Sequence, residues 1–363
     1  MRLFQKIKVS FFTLILLFLF NLCEGQNMQS IRVSTTIIYK DSICLRAETL
    51  PEFRNSVHDK DYQGNQISGV VRTVFQDSKG NLWFGTQNGL ARYDTSGLVY
   101  YDLLDFNGQS VTVHAIIEDK KGSIWIGYGG GIAKYDGQYF TVFHEKEILK
   151  KNCLWSMTVD KKGLLWIGTT DGVYTFDGEV LTPFEIPEGK INPSFGISTT
   201  KMIHSIIEDG RGNMWFATNG GVYFYDGNVL KNISEKDGLQ TNFIGDIIER
   251  KDGTFLISNS RGIFKYNGNT LINITENQFG IGDSIGCVFE DNKGVIWFSV
   301  NKRDIYRSDE KTFTKIKNKE NDFTPFPFQI YQDNEKRLWF VGFKGAYRYE
   351  NETFINVNRS GPW

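Results

Sequence analysis

The chain has 363 residues, 40% of them hydrophobic and 15% aromatic, which supplies a packed core and excludes a disordered chain. Forty-one Lys and Arg against 42 Asp and Glu leave a net charge of −1, so no bulk charge draws it to nucleic acid or to an anionic membrane. No run of like charges is long enough to serve as a binding tail.

In chain order, residues 1–25 read as a signal peptide. Arg2, Lys6 and Lys8 make a basic start, and 11–20 is an apolar stretch of signal-peptide length. It is short for a spanning helix, which needs about 20 apolar residues. Cleavage after Gly25 gives an exported chain, periplasmic or secreted, with no transmembrane span left. Lipidation at Cys23 is the second reading, because Phe20-Asn21-Leu22 lacks the usual small residue before such a cysteine; a retained anchor is the third. Residues 26–65 contain IRVSTTIIY (31–39), with the β-branched content of a strand, and a polar, loop-like 51–65. This segment is expected to cover the outer edge of the first or last sheet of the domain downstream, with a partner-binding arm as the alternative.

From 66 to 358 one unit repeats. Its clearest copy is DKKGSIWIGYGGGIAKYDGQYF (119–140), and related text begins at Asp77, Asp160, Asp209, Lys251, Asp291 and Asp333. The marker position is Trp83, Trp125, Trp166, Trp215, Leu256, Trp297 and Trp339, at intervals of 42, 41, 49, 41, 41 and 42 residues. Asp-Gly between alternating apolar runs is a hairpin signal, so each unit is a small antiparallel meander that cannot cover both faces alone. A period near 40 with several strands per unit predicts an all-β, seven-bladed β-propeller of four-stranded antiparallel blades. Residues 359–363 are left as a tail.

These repeats resemble the two-component regulator propeller repeat, common in periplasmic sensor regions of Bacteroidetes hybrid two-component systems. The resemblance covers about residues 66–358. In that family two propellers usually precede a further β-domain, a membrane helix and a kinase. None of these is expected here, so the resemblance implies a stand-alone single propeller that does not itself phosphorylate.

In the second repeat the strands are expected at 111–118, 124–128, 131–135 and 138–143. Asp-x-x-Gly before each tryptophan suits a type I turn ending in a left-handed glycine. Reading Asp119 or Asp160 as calcium ligands fails for want of oxygens. The tryptophans, and a second aromatic series at Tyr93, Tyr135, Phe176, Tyr225, Tyr266 and Tyr349, are read as core between blades rather than sugar platforms. The sixth copy departs from both patterns, with Arg307 for the aromatic and Arg303 where the others have Gly89, Gly131, Gly172, Gly221, Gly262 and Gly345. Its 301–304 loop is expected to be rebuilt, through function or through decay of the repeat. Cys44, Cys153 and Cys287 lack metal-site spacing; Cys153 and Cys287 are expected as small buried apolar residues of strands.

In the inner strand one position varies where its neighbours are apolar or small: Arg72, His114, Trp155, His204, Gly245, Gly286 and Phe328. A ring facing a shared channel mouth would read this way. Two histidines, an arginine and a tryptophan suit a polar, ring-shaped ligand such as a glycan fragment. Gln87, Asn88, Tyr128, Asp171, Asn219, Arg261, Arg303 and Lys344 are expected to join them from adjacent turns, and the insertion 185–201 to overhang the mouth. The reading is a non-enzymatic ligand- or partner-binding module, its partner a small glycan-like molecule or a protein such as a membrane sensor kinase. One alternative is a lyase or hydrolase using His114 and His204 as metal ligands or an acid–base pair; another is a purely structural interaction scaffold. No catalytic or cofactor motif is present.

Overall fold

The computed structural model describes residues 64–363 except 102, 106–107, 145–152, 190–198, 281–282 and 319–322, with the strand backbone of Ser30–Ile31, Ile38–Tyr39, Ile43–Cys44 and Arg46–Leu50. Residues 1–25, expected as a signal peptide, and the centre of the insertion lie outside the described residues.

Seven antiparallel sheets succeed one another along the chain, each with four consecutive strands. The first strands of the sheets are Val71–Gln76, Val113–Glu118, Leu154–Val159, Ile203–Glu208, Ile244–Glu249, Ile285–Glu290 and Phe326–Gln332. Each neighbours the first strands before and after it, and the seventh returns to the first. The first strands therefore surround the axis of a closed seven-bladed propeller. In the second blade the inner hairpin strands fall at Ile124–Tyr128 and Gly131–Tyr135, and the outer strand at Phe140–His144. That outer strand starts later than expected because Asp136 Oδ1 accepts from the amides of Gln138 and Tyr139, keeping both in the turn.

The core lies between blades. Seven apolar clusters occupy the seven seams, and one device recurs at six of them. Asp77 Oδ1 accepts from the amides of Lys79 and Asn81 at 3.0 and 2.8 Å, and its Oδ2 accepts from Trp83 Nε1 at 2.8 Å. Asp119–Trp125, Asp160–Trp166, Asp209–Trp215, Asp291–Trp297 and Asp333–Trp339 repeat the carboxylate–indole bond. These carboxylates close the turn and orient the indole. Burial opposes the charge of Asp119, but its donors Trp125, Ser123 and Lys121, with Lys134 nearby, hold the carboxyl below its ordinary value. The turn glycine Gly122 sits at φ +78°, where a side chain would be strained.

Each indole then meets the second aromatic series one blade on. Trp83 packs on Tyr135, Trp125 on Phe176, Trp166 on Tyr225, Trp215 on Tyr266 and Trp297 on Tyr349, with centroids 5.4–6.4 Å apart. Trp339 crosses from the last blade to Phe84 of the first at 5.8 Å. No marker tryptophan is more than 7% exposed.

The seam between blades five and six replaces all parts of the device together. Leu256 stands for the tryptophan and Arg250 for the turn aspartate, and Ser308, opposite Ile296 as Tyr93 is opposite Leu82, stands for the aromatic that the indole would meet. Arg250, its side chain 9% exposed, donates to Glu290 Oε1 from Nε and Nη2 at 2.9 and 2.7 Å. It also pairs with Glu310, which Lys265 joins at 3.0 Å. Arg307 itself is exposed and lies opposite Trp297, the position of Arg92 in the first blade. The Arg303 turn is rebuilt by lengthening: Val300 pairs with Asp304 across three residues, where Thr86 pairs with Gly89 across two. Asn301 and Lys302 take the left-handed conformation at φ 51° and 60°, and Arg303 is spared it.

A second fastening is less visible in sequence. The last residue of an inner strand accepts a hydrogen bond from the turn of the preceding blade: Glu118 from Ser78 N, Glu208 from Lys161 N, Glu249 from Gly210 N and Glu290 from Lys251 N. Gln332 accepts from Asn292 N and Gln76 from Asn334 N. Only the seam between blades two and three has an apolar residue, Val159, at this position. The seventh blade contains all its own strands, ending with Thr353–Val357. The ring is locked by Gln329 Oε1, which accepts from Thr73 Oγ1 and Val74 N at 3.1 and 2.7 Å, and by Trp363, which stacks on Tyr93 at 4.1 Å.

The added strands fall elsewhere than expected. Arg46–Leu50 pairs with the outer strand of the second blade and Ile43–Cys44 with that of the third, Val180–Phe184. Ser30–Ile31 and Ile38–Tyr39 pair with each other. Seven similar outer edges give a strand's own sequence no basis for choosing among them, and the seam between the first and last blades is closed by other residues.

Candidate functional site

Near the start of every inner strand the pairing with the second strand slips, a β-bulge that leaves a residue without a partner. The unpaired residues are Arg72, His114, Trp155, His204, Gly245, Gly286 (with Cys287) and Phe328. All seven variable positions are therefore structurally equivalent, and all are half-buried. Four of them, on blades seven, one, two and three, form an arc. The Arg72 guanidinium lies 4.4 Å from the Phe328 ring centroid, and the His114 and Trp155 rings are 4.9 Å apart. Burial, then the charge of Arg72, push the His114 imidazole down to about 4, so it is neutral at pH 7.

The arc is rich in donors that nothing satisfies. Arg72 Nε and Trp155 Nε1 are buried without hydrogen-bond partners, as is the neighbouring Ser156 Oγ. His204 differs. Its Nε2 lies 2.8 Å from Asn219 Oδ1, and Asn219, 6% exposed, donates from Nδ2 to Thr199 O. That fixes the amide so that Nε2 carries the proton. Burial lowers the His204 pKa, the Asn219 bond opposing it. His204 also packs on Phe243 at 5.1 Å, while His114 is committed to Trp155. At Gly245 and Gly286 no side chain lines the ring.

The expected turn residues are dispersed. Gln87 and Asn88 are half-buried in the first blade's turn, whereas Asp171, Arg261, Arg303 and Lys344 are exposed. Arg261 lines a separate cavity of about 210 Å³ with Ser260, Thr275 and Asp283. Lys344 Nζ lies 5.8 Å from the Phe323 ring. Tyr128 is withdrawn from the mouth, being fully buried in the core between blades one and two. Its ring occupies the space over Gly131, where a Cβ would stand 2.6 Å from the phenol oxygen. Of the insertion, only 185–189 and 199–201 are described; Tyr223 OH donates to Pro187 O at 2.8 Å. Cys153 is exposed just before its strand, not buried within it, and Cys287 is half-buried; both are free thiols. The side chain of Cys44 lies outside the described residues.

Sequence reasoning missed two groups. One step beyond the variable position stand Thr73, Ala115, Ser156, Ser205, Asp246, Cys287 and Gln329, small or polar at every copy. Burial pushes the Asp246 carboxyl up to about 6 against bonds from Val288 N, Ser205 and Ile247 N. Burial, with Asp246 nearby, pushes the Cys287 thiol up to about 12, which leaves it unreactive. The second group is aromatic: Phe326, Phe328 and Phe343 have centroids 4.9–6.1 Å apart, beside Arg72. Phe343 is 43% exposed. Among the described residues no cluster of His, Cys, Asp and Glu is arranged to hold a metal ion, and no helix is long and apolar enough to cross a membrane.

The profile of the family "Two component regulator propeller" matches residues 65–88, 106–130 and 196–220. These fall on the first, second and fourth blades. No curated protein matches the chain. Among solved structures, the extracellular domain of the hybrid two component system BT3049 from B. thetaiotaomicron is 22% identical, with a TM-score of 0.58. The match covers 82% of this chain and 40% of that one, so this chain spans well under half of that domain. The virginiamycin B lyase of Staphylococcus aureus is 12% identical with a TM-score of 0.60, covering 83% of this chain and 98% of the lyase. PorZ, a surface component of the type-IX secretion system of Porphyromonas gingivalis, is also 12% identical at a TM-score of 0.60, covering 80% and 47%. At these identities the likeness is one of fold. The chain is a seven-bladed propeller, and three of its seven repeats match the two component regulator propeller profile.

Proposed function

We propose that the chain is an exported, non-enzymatic binding module of the sensor type, whose ligand sits at the axial mouth on the Phe328–Arg72–His114–Trp155 arc. The carrying observation is chemical. At equivalent bulges on four adjacent blades, aromatic faces lie beside polar groups that the protein leaves without partners. A small ring-bearing polar molecule of the glycan class fits that combination, since an aromatic face covers its apolar side and fixed donors set its orientation. The fold shared with sensor extracellular domains supports export and a read-out by a protein partner such as a membrane kinase. The enzymatic alternative finds less support, because His204 is held by Asn219 and His114 by Trp155.

The test is a thermal-shift screen of mono- and oligosaccharides, then titration of His114→Ala, Trp155→Ala and Arg303→Ala. Weaker binding in the first two at unchanged melting temperature supports the mouth. Unchanged affinity in both removes it. Arg303, exposed on blade six, is expected to matter only for a ligand long enough to cross the axis.

A further inference from the structure

Among the described residues, Arg72 has no acidic partner. It makes no ion pair within 4.0 Å, its face rests on Phe328, and its Nε is buried without an acceptor. Three other enclosed arginines have one: Arg250 has Glu290 and Glu310, Arg92 has Asp94 at 2.6 Å, and Arg348 has Glu350 at 3.1 Å. An enclosed guanidinium without a counter-ion costs stability, and here its neighbours compound the cost. His114 is a second base, and Trp155 Nε1 and Ser156 Oγ are further donors without partners. The one charge among these groups is positive, and it lies next to aromatic faces.

From this we infer that the mouth selects a ligand carrying a carboxylate, an acidic rather than a neutral sugar, with Arg72 as the ion-pair partner and Trp155 Nε1 as a second donor. The inference rests on the reading of the mouth as the ligand site and names the ligand's charge. A carboxylate accepts from a guanidinium in a two-pronged geometry that a hydroxyl cannot reproduce. Burial lowers the pKa of Arg72, which is consistent with a guanidinium waiting for a counter-charge.

Galacturonate, galactose and acetate serve as probes, read by calorimetry and by the indole and arginine Nε–H signals of ¹⁵N-labelled protein. The Trp155 and Arg72 signals are assigned by their loss in Trp155→Phe and Arg72→Gln. The expected result is that galacturonate binds at least about tenfold more tightly than galactose, the scale of one charge-assisted bond, and shifts both signals. Arg72→Gln should abolish that preference. Arg72→Met, which removes the unpaired charge and keeps the packing on Phe328, should leave the melting temperature equal or higher, as a merely structural arginine would not. Equal binding of galactose and galacturonate, unchanged in Arg72→Gln, overturns the inference and leaves the mouth standing as a sugar site. Acetate matching galacturonate in affinity supports the carboxylate and overturns the sugar. No response to any probe, in either readout, overturns both.

Discussion

Replacing Trp166 by alanine tests the architecture on which the site depends. The indole is 5% exposed, with Phe184, Phe216 and Tyr225 centroids at 5.1, 5.7 and 6.4 Å and a 3.0 Å bond from Nε1 to Asp160 Oδ2. Burying about 200 Å² at about 25 cal/mol per Å² bounds the apolar contribution near 5 kcal/mol, and large-to-small core changes of this kind cost about 3–5 kcal/mol. Trp166→Phe keeps most of the packing and deletes the donor. It should cost about 1.5–3 kcal/mol, the worth of a bond to a charged acceptor. Asp160 is 8% exposed and still accepts from Lys162 and Leu164 amides, so the turn should survive either change. Urea unfolding supplies the readout: the midpoint should fall with the slope unchanged. A double-mutant cycle with Asp160→Asn should show coupling near 1 kcal/mol. A loss below about 1 kcal/mol for Trp166→Ala would place the residue outside the seam and refute the account of how the blades are joined.

Two further outcomes rest on the same geometry. Arg250→Met strands Glu290, 8% exposed at its side chain, next to Glu310, and should cost about 3–5 kcal/mol in denaturant unfolding; Arg250→Lys should recover only part, having no second nitrogen for Glu290 Oε1. The His114 imidazole titrates near 4 in the folded chain against an ordinary 6.5. Its contribution is therefore complete above pH 6.5 and is lost as the pH falls toward 4, where the unfolded chain binds the proton first. Relative to wild type, His114→Gln should retain on the order of 1–2 kcal/mol more of its stability on going from pH 7 to 4.5, the half-buried ring reducing the full value. Parallel pH profiles of the two proteins would contradict it; His204 acts in the same direction but is common to both.

Legibility in the sequence depends on repetition. The tryptophan spacing and the Asp-x-x-Gly turns recur because every seam needs the same carboxylate–indole bond, so blade number and strand order were open to inspection. The seven variable positions were equally visible, since a bulge releases one residue per blade from the demands of pairing. Tyr128 was misplaced because it occupies the same strand position as Thr86 and Thr169; its inward turn depends on the space above Gly131. Arg307 looked like the missing aromatic, but the extra residue in the 301–303 turn shifts the register by one and puts Ser308 in that place. The hydrogen bonds to Glu118 and its equivalents were hidden because a glutamate beside a turn is an ordinary surface residue until another chain segment meets it. The edges taken by 43–44 and 46–50 were illegible for the reason that all outer edges look alike.

The hinge between blades two and three is the exception among the seven, for Val159 offers its neighbour no carbonyl or carboxylate oxygen from a side chain at the hub. It is also the hinge whose circumference is laced, because the consecutive strands 43–44 and 46–50 stitch the third rim to the second. His114 and Trp155 straddle it on the inside. The wheel is thus tied externally at the spoke gap that His114 and Trp155 face across, and small rocking of those spokes would alter the separation of the rings without undoing the tie.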